Sequence, residues 1–144
     1  MLARAAYRAV VVDHAYRLLL LHVTDGTASW WEPPGGEPLP GEDAAVAVAR
    51  VLAEETGLTA RVGPCVWVRR SRGLLRRVER FHVAWLDDPN APRAHVAERD
   101  RVLGERRWTL DELATSDERF DPPALPALAP AVVRGEYGAT PADV

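Results

Sequence analysis

The most informative part of the sequence is residues 35–58, which read GGEPLPGEDAAVAVARVLAEETGL. The spacing of apolar residues predicts a helix over Gly41–Thr56. Glu42 and Asp43 are expected in its first turn, where the helix dipole favours acidic groups, and Gly57 is expected as its C-terminal cap. At about 100° per residue, the stripe predicted to face the core consists of Ala45, Val48, Ala49 and Leu52.

Polar residues near the end of this helix form a second pattern. Arg50, Glu54 and Glu55 are close enough in sequence to share one arc of a helix. Two neighbouring carboxylates can bind a divalent cation together with water and phosphate oxygens, and Arg50 is placed to pair with Glu54. Gly35 and Gly36 precede the helix, where a backbone without side chains can approach a phosphate or a metal closely. A solvated, salt-bridged helix face is the alternative that this pattern also fits.

The spacing of residues 36–58 resembles the Nudix box, G-x5-E-x7-R-E-U-x-E-E-x-G-U, in which U is an aliphatic residue. All fixed positions but one match, namely Gly36, Glu42, Arg50, Leu52, Glu54, Glu55, Gly57 and Leu58. The resemblance implies an α/β (α+β) fold, an α/β/α sandwich around a mixed β-sheet. It also implies a hydrolase that cleaves a diphosphate linked to another group, often a nucleoside, with Mg²⁺ or Mn²⁺.

The resemblance also implies roles for individual residues. Glu54 and Glu55 would bind the metal and take part in catalysis, and the Gly35 carbonyl would be a further metal ligand. Glu42 and Arg50 would form a structural pair that holds the loop to the helix.

Val51 occupies the position that departs from the motif. The family has a glutamate there that binds metal and, in some members, is proposed as the catalytic base. Helical spacing predicts that Val51 lies beside Glu54 and Glu55, away from the core stripe, so that losing an anion weakens divalent-cation binding. Two consequences stay open. Another acid, Glu98 first and Glu105 second, acts as the base, or the protein binds a nucleotide-like ligand without cleaving it.

Arginines are crowded around the junction of two predicted strands, Val62–Val68 and Val78–Leu86, which we expect to form a hairpin. They are Arg69, Arg70, Arg72, Arg76, Arg77 and Arg80. We expect Arg72, with Gly35 and Gly36, to contact substrate phosphates. A solvated hairpin whose charges discourage sheet pairing is one alternative, and an adaptor for nucleic acid or protein is another.

The rest of the chain predicts strands and short helices. Continuous apolar runs predict strands at Ala5–Val12 and Arg17–Val23 that are buried on both faces, and Pro33–Gly36 is expected to end regular structure. Trp31, next to the glycine loop, is the tryptophan expected to touch a ligand. The remaining predicted elements are a short strand at Arg106–Thr109, a helix near Asp111–Ala114, a short helix at Leu125–Arg134 and a loose tail at 135–144.

Composition bounds the class of protein. The 144 residues fit one domain, 1–144, and a content of 47% hydrophobic and 27% charged residues excludes global disorder. A single cysteine excludes a disulfide framework, and the net charge of −3 gives no general attraction to nucleic acid or anionic membranes. No early apolar run has the length of a membrane span or the pattern of a signal peptide. We therefore expect a cytoplasmic protein with a small nucleotide-type substrate and with neither membrane nor nucleic-acid partners, and the family resemblance also allows a homodimer.

Overall fold

A computed structural model describes residues 4–74, 76–88 and 100–144 of the chain. Its strands are β1 (Arg4–Val12), β2 (Leu18–Thr24), β3 (Ser29–Glu32), β4 (Gly35–Gly36), β5 (Ala60–Ser71), β6 (Arg77–Leu86), β7 (Val102–Trp108) and β8 (Ala142–Asp143). Its helices are α1 (Ala44–Thr56), α2 (Leu110–Thr115) and α3 (Leu125–Val133). Within these ranges no helix is long and apolar enough to cross a membrane.

The strands form an eight-stranded sheet with the order β3-β2-β1-β6-β5-β8, and in addition β4 pairs with β1 and β7 pairs with β2. β1 runs parallel to β6, and β5 runs parallel to β8, whereas the other pairs are antiparallel. The chain combines this mixed sheet with three helices within the described residues, so the predicted α+β fold class is confirmed.

Two hydrophobic clusters lie on opposite faces of the sheet, because successive side chains of a strand point in opposite directions. Val10 and Val12 of β1 belong to the larger cluster, which includes residues of α2 and α3. Ala9 and Val11 belong to the smaller cluster, which includes residues of α1. In β2, Leu18 and Leu20 belong to the larger cluster and Leu19 belongs to the smaller one. β1 and β2 are therefore buried on both faces, as their unbroken apolar sequences predict.

Helix α1 begins at Ala44, later than the predicted start at Gly41. Asp43 is its N-cap residue, and the Asp43 side chain accepts a hydrogen bond of 2.9 Å from the Val46 backbone N–H. An N-cap residue has an extended backbone and lies outside the helix. Glu42 and Asp43, which were expected in the first turn, therefore precede that turn. The predicted cap at Gly57 is confirmed, since this residue has a φ of 72° in the left-handed region.

The buried face of α1 differs from the predicted stripe. Its buried residues are Ala47, Val48, Val51, Leu52 and Thr56. Ala45 is exposed and Ala49 is half-buried, because residues 44–53 are apolar apart from Arg50 and periodicity cannot select a face in such a run. Val51 is 3% exposed, so the prediction that it lies away from the core is wrong.

Two segments that the sequence predicts to be irregular belong to the sheet. Gly35–Gly36 forms β4, which pairs with Tyr7 and Arg8 of β1. The predicted loose tail is corrected at its end, where Ala142–Asp143 forms β8 beside β5 and the Val144 N–H donates to a β5 carbonyl at 3.0 Å. Strands of two residues are too short to show the alternation that identifies a strand in sequence.

Candidate active site

Arg50 connects the loop before α1 to the helix. Its Nε donates to Glu42 Oε2 at 2.7 Å, and one terminal nitrogen donates to Glu42 Oε1 and to the Glu37 carbonyl, both at 2.9 Å. The other terminal nitrogen donates to the two carboxylate oxygens of Glu54 at 3.1 and 3.0 Å. The hydrogen bond from Arg50 lowers the pKa of Glu42, and the same bond raises the pKa of Arg50. The structure therefore brings Glu42, Arg50 and Glu54 together.

Glu54 and Glu55 have different surroundings although they are neighbours in sequence. The Glu54 side chain is 59% exposed and lies against Arg50. Glu55 is half-buried and lines a cleft. Of the two acids predicted to bind a metal, Glu55 is therefore the one that faces an enclosed space.

Val51 packs beneath the glycine loop. A Cβ built on Gly36 would lie 3.6 Å from each methyl group of Val51, so the loop crosses directly over this side chain. Gly35 lies still closer to its neighbours, because a Cβ there would be 2.7 Å from the Tyr7 carbonyl oxygen and 2.5 Å from Arg8 Cδ. Glycine is required at position 35 because any side chain would collide with the β1 backbone. Where the motif has a glutamate, this chain has an apolar contact between loop and helix.

A cleft with a volume of about 380 Å³ opens where β1 changes partners. β1 pairs with β2 only at Val11 and Val12, and it pairs with β4 at Tyr7 and Arg8. The cleft contains four acidic residues and four arginines among its lining residues, which are Arg8, Leu21, Val23, Trp30, Glu32, Gly35, Glu55, Arg69, Arg77, Glu79, Arg101, Val102 and Asp121.

Five charged residues of the cleft form a continuous chain of ion pairs, in the order Glu32, Arg8, Glu79, Arg69 and Asp121. Arg8 contacts Glu32, and its Nε lies 3.1 Å from Glu79 Oε2. Arg69 Nε lies 2.9 Å from Glu79 Oε1, and one of its terminal nitrogens lies 2.7 Å from Asp121 Oδ1. The Glu79 side chain, at the centre of the chain, is 4% exposed.

Ion pairing keeps these groups charged in spite of burial. Burial alone would raise the pKa of Glu79, but the hydrogen bond from Arg69 and the charge of Arg8 outweigh it and lower this pKa. Burial and Arg69 oppose each other in the same way at Asp121, whose pKa is also lowered. Burial would lower the pKa of Arg8, but its carboxylate partners raise it overall. Arg8, Glu79 and Asp121 are therefore ionised at neutral pH.

Trp30, and not Trp31, is the tryptophan beside the cleft. Trp31 is 9% exposed, belongs to the larger core cluster and stacks on His22 with 4.4 Å between the ring centroids. Trp30 lines the cleft, and its indole N–H donates to Glu32 at 2.8 Å. The Arg119 guanidinium lies 5.1 Å from the Trp30 ring centroid. Sequence reasoning missed Trp30 because neighbouring strand residues face opposite sides of a sheet.

Three further residues were predicted for the site, namely Arg72, Glu98 and Glu105. Arg72 is exposed at the end of the β5–β6 hairpin and lines a groove separate from the cleft. Glu98, the predicted base, lies outside the described residues. Glu105 is paired with Leu21 of β2. Directly opposite residues share a sheet face, so Glu105 lies on the same face as Leu21, which lines the cleft.

The acids of α1 meet the basic requirement of a magnesium ion. Mg²⁺ is usually held by one or two carboxylates, while water and substrate phosphates supply the other oxygens. Glu54 and Glu55 supply two carboxylates, and Val51 supplies none. Among the residues that the structure describes, no group of three or more His, Cys, Asp or Glu side chains could hold a metal ion. The residues therefore fit a cation whose coordination is completed by a phosphate ligand, and not a cage made by the protein alone.

Comparison with known proteins agrees with the motif and the fold. The family model of the NUDIX domain matches residues 2–128, and a search of curated proteins finds no match. A NUDIX hydrolase from Nitrosomonas europaea is 17% identical with a TM-score of 0.69, covering 94% of this chain and 92% of that one. An ADP-ribose pyrophosphatase from Streptococcus suis is 13% identical with a TM-score of 0.67, at 99% and 98% coverage. An Ap4A hydrolase from C. elegans is 21% identical with a TM-score of 0.67, at 92% and 99% coverage. Since the family model spans most of the chain, this protein belongs to the NUDIX domain family.

Proposed function

We propose that this protein is a metal-dependent pyrophosphohydrolase that cleaves the phosphoanhydride bond of a nucleoside diphosphate linked to another moiety. The observation that carries the proposal is the position of Glu55, which lines the same cleft as Gly35, Trp30 and Arg77. Such a substrate needs four kinds of group. They are an acid to bind a cation, a glycine backbone that phosphate can approach, an aromatic ring for the nucleoside base and an arginine for phosphate. Structural neighbours named ADP-ribose pyrophosphatase and Ap4A hydrolase support a substrate of this class.

The residues of the box hold the cation and shape its surroundings in this proposal. Glu54 and Glu55 would bind Mg²⁺ or Mn²⁺, and the Gly35 carbonyl would provide a further oxygen. A bound cation neutralises charge that develops on phosphate oxygens during hydrolysis. Arg50 and Glu42 hold the end of the glycine loop against α1, which keeps Glu54 and Glu55 at the loop.

Hydrolysis adds one water molecule across the P–O–P bridge. The water oxygen forms a bond to one phosphorus, the bridging P–O bond breaks with its electron pair on the leaving phosphate, and a base takes the water proton. We assign the base to Glu98, and Glu105 is the second candidate because it lies on the sheet face of Leu21. Comparing Glu98→Gln with Glu105→Gln identifies the base, since the correct variant loses the rise in rate on the acidic side of the pH–rate profile, where the base becomes deprotonated.

Trp30 is our candidate platform for the nucleoside base. Its ring offers a flat apolar surface, and the hydrogen bond to Glu32 holds its orientation. We expect Trp30→Ala to raise the KM for a nucleotide substrate more than Trp30→Phe does. Equal KM values in the two variants would contradict stacking on this ring.

A turnover screen tests the proposed activity. The panel contains nucleotide sugars, ADP-ribose, dinucleoside polyphosphates and oxidised nucleoside triphosphates, each with Mg²⁺ or Mn²⁺. We expect release of a mononucleotide from at least one member, and its loss in the Glu54→Gln/Glu55→Gln double variant. Turnover that persists in the double variant contradicts the metal assignment, and a panel without turnover contradicts the hydrolase.

Val51 favours a second candidate function, a NUDIX-fold module that binds a nucleotide without cleaving it. Val51 is buried beneath Gly36 and has no oxygen atom that could bind a metal. Glu54 already accepts hydrogen bonds from Arg50. Such a module would be stabilised against heat by a nucleotide that it does not turn over. Turnover of that same nucleotide would exclude this candidate.

A further inference from the structure

An arginine groove lies at the end of the β5–β6 hairpin, outside the cleft. It has a volume of about 400 Å³, and its lining includes Arg70, Arg72, Arg76 and Arg77. The volume falls in the range of small-molecule sites, which is roughly 300–1,000 Å³. The groove is therefore large enough for a ligand, and its side chains determine the chemistry of that ligand.

Most of the arginines in the groove have no ion-pair partner among the residues that the structure describes. Arg70 lies 2.7 Å from Asp143. Arg72, Arg76 and Arg77 form no ion pair within residues 4–74, 76–88 and 100–144. The whole chain has a net charge of −3, so three uncompensated guanidinium groups make this surface locally positive on an acidic protein. Guanidinium groups bind phosphate through paired N–H donors.

Arg77 joins the arginine groove to the cleft, because it lines both. A ligand in the cleft and a ligand in the groove would therefore share Arg77 as a contact. We propose that the arginine groove binds phosphate that a substrate carries beyond the diphosphate held in the cleft. The proposal rests on the proposed function and specifies its substrate class, which is a nucleotide with a further phosphorylated end, such as a dinucleoside polyphosphate.

The distribution of charge favours a small phosphate ligand over a nucleic-acid chain. Arg72, Arg76 and Arg77 lie together at the end of one hairpin, whereas a nucleic acid binds along an extended basic surface. Two further arginines of the cleft, Arg8 and Arg69, are already enclosed by carboxylates. The groove therefore matches a short phosphate group at the end of a substrate.

Calorimetric titration with inorganic tripolyphosphate in metal-free buffer tests binding without using activity. We expect the Arg72→Ala/Arg76→Ala double variant to bind at least about tenfold more weakly than the parent protein, since it loses two charge-assisted contacts. The matched control, Arg61→Ala/Arg134→Ala, removes the same charge from exposed positions outside the groove and the cleft. The control should change the affinity less than about twofold. An equal loss in both variants overturns the groove as a site.

A second arm distinguishes a phosphate end from a nucleic-acid backbone. RNA oligonucleotides with a 5′-triphosphate, prepared in increasing length, are titrated beside tripolyphosphate. We expect one affinity for the whole series, because only the phosphate end enters the groove. Affinity that rises steadily with length overturns the proposal in favour of backbone binding.

A third arm connects the groove to turnover. In the Arg72→Ala/Arg76→Ala variant, the KM for a dinucleoside tetraphosphate should rise about tenfold relative to the KM for a nucleotide sugar. If the parent protein hydrolyses no member of the substrate panel, the proposed function fails while the tripolyphosphate result stands. If hydrolysis occurs and the variant leaves both the KM ratio and tripolyphosphate binding unchanged, the groove fails while the proposed function stands.

Discussion

Arginine lies between carboxylates in two regions of this molecule, and the regions differ in exposure. On α1, Arg50 holds Glu54, whose side chain is 59% exposed. In the cleft, Arg8 and Arg69 enclose Glu79, whose side chain is 4% exposed. An exposed pair contributes about 0–1 kcal/mol, whereas breaking a buried pair costs about 3–5 kcal/mol because it leaves an uncompensated charge. The box region can therefore exchange partners for a cation, while the cleft is held together before any ligand arrives.

The largest effect is expected at the centre of the buried chain. Glu79→Gln leaves two arginines without their shared anion and should lower the free energy of unfolding by about 3–5 kcal/mol, as measured by urea denaturation. Asp143→Asn is the control, because it breaks the exposed pair with Arg70 and should cost less than about 1 kcal/mol. Similar losses in the two variants would remove the distinction between the regions.

The same buried chain predicts how stability depends on pH. Ion pairing with Arg69 outweighs burial and lowers the pKa of Glu79 below its ordinary value of 4.5 and that of Asp121 below 3.8. Near these values the unfolded chain binds more protons than the folded protein, so the stabilisation is complete above about pH 5 and is lost as pH falls through the lowered pKa values. Urea denaturation at a series of pH values measures this loss, part of which should disappear in Glu79→Gln. If Glu79→Gln leaves the pH dependence below pH 5 unchanged, Glu79 is not its source.

Within the box, the two neighbouring acids should differ in activity. Glu55→Gln removes the carboxylate that lines the cleft and should lower kcat/KM by about a hundredfold or more. Glu54→Gln removes an exposed carboxylate shared with Arg50 and should lower it by only about tenfold. Steady-state kinetics on the best substrate of the screen measures both. A larger loss at Glu54 would show that the cation is bound on the outer side of the helix.

The smallest effect concerns the apolar contact beneath the glycine loop. Val51→Glu places a carboxylate in a buried position and should lower the free energy of unfolding by about 1–3 kcal/mol in a chelating buffer, with part of the loss restored by Mg²⁺. Val51→Gln has the same shape without the charge, so its loss should be insensitive to Mg²⁺. Thermal denaturation with and without Mg²⁺ compares them. A Val51→Glu protein that responds to Mg²⁺ no more than Val51→Gln would show that this position does not reach a cation site.

The fold could be predicted from the sequence because its signals are local. The spacing from Gly36 to Leu58 identifies the loop and helix, and unbroken apolar runs identify strands buried on both faces. The buried face of α1 could not be predicted, because alanine and valine occur on all sides of this helix. Only packing against the sheet determines that Val51 is buried and Ala45 is exposed. The chain of ion pairs was also missed, because Arg8 and Glu79 are far apart in sequence and meet only when β1 and β6 pair.

Part of the candidate site was predictable for the same reason. Glu42, Arg50 and Glu54 meet within one loop and helix, so their contacts follow from sequence spacing. The sequence also brings the arginines of the groove together, because they lie within one hairpin, whereas the position of Trp30 beside the cleft depends on strand register, which no single stretch of sequence encodes. Residues that act together across elements are therefore the ones that sequence reasoning placed wrongly.

The short strand β8 has a consequence for handling this protein. β5 would be the outermost long strand of the sheet, and β8 covers it at Trp67 and Val68. An uncovered strand edge offers unpaired N–H and C=O groups to a neighbouring molecule. Truncation before Ala142 should therefore produce self-association that grows with protein concentration, so tags and shortened variants are better designed with this strand intact.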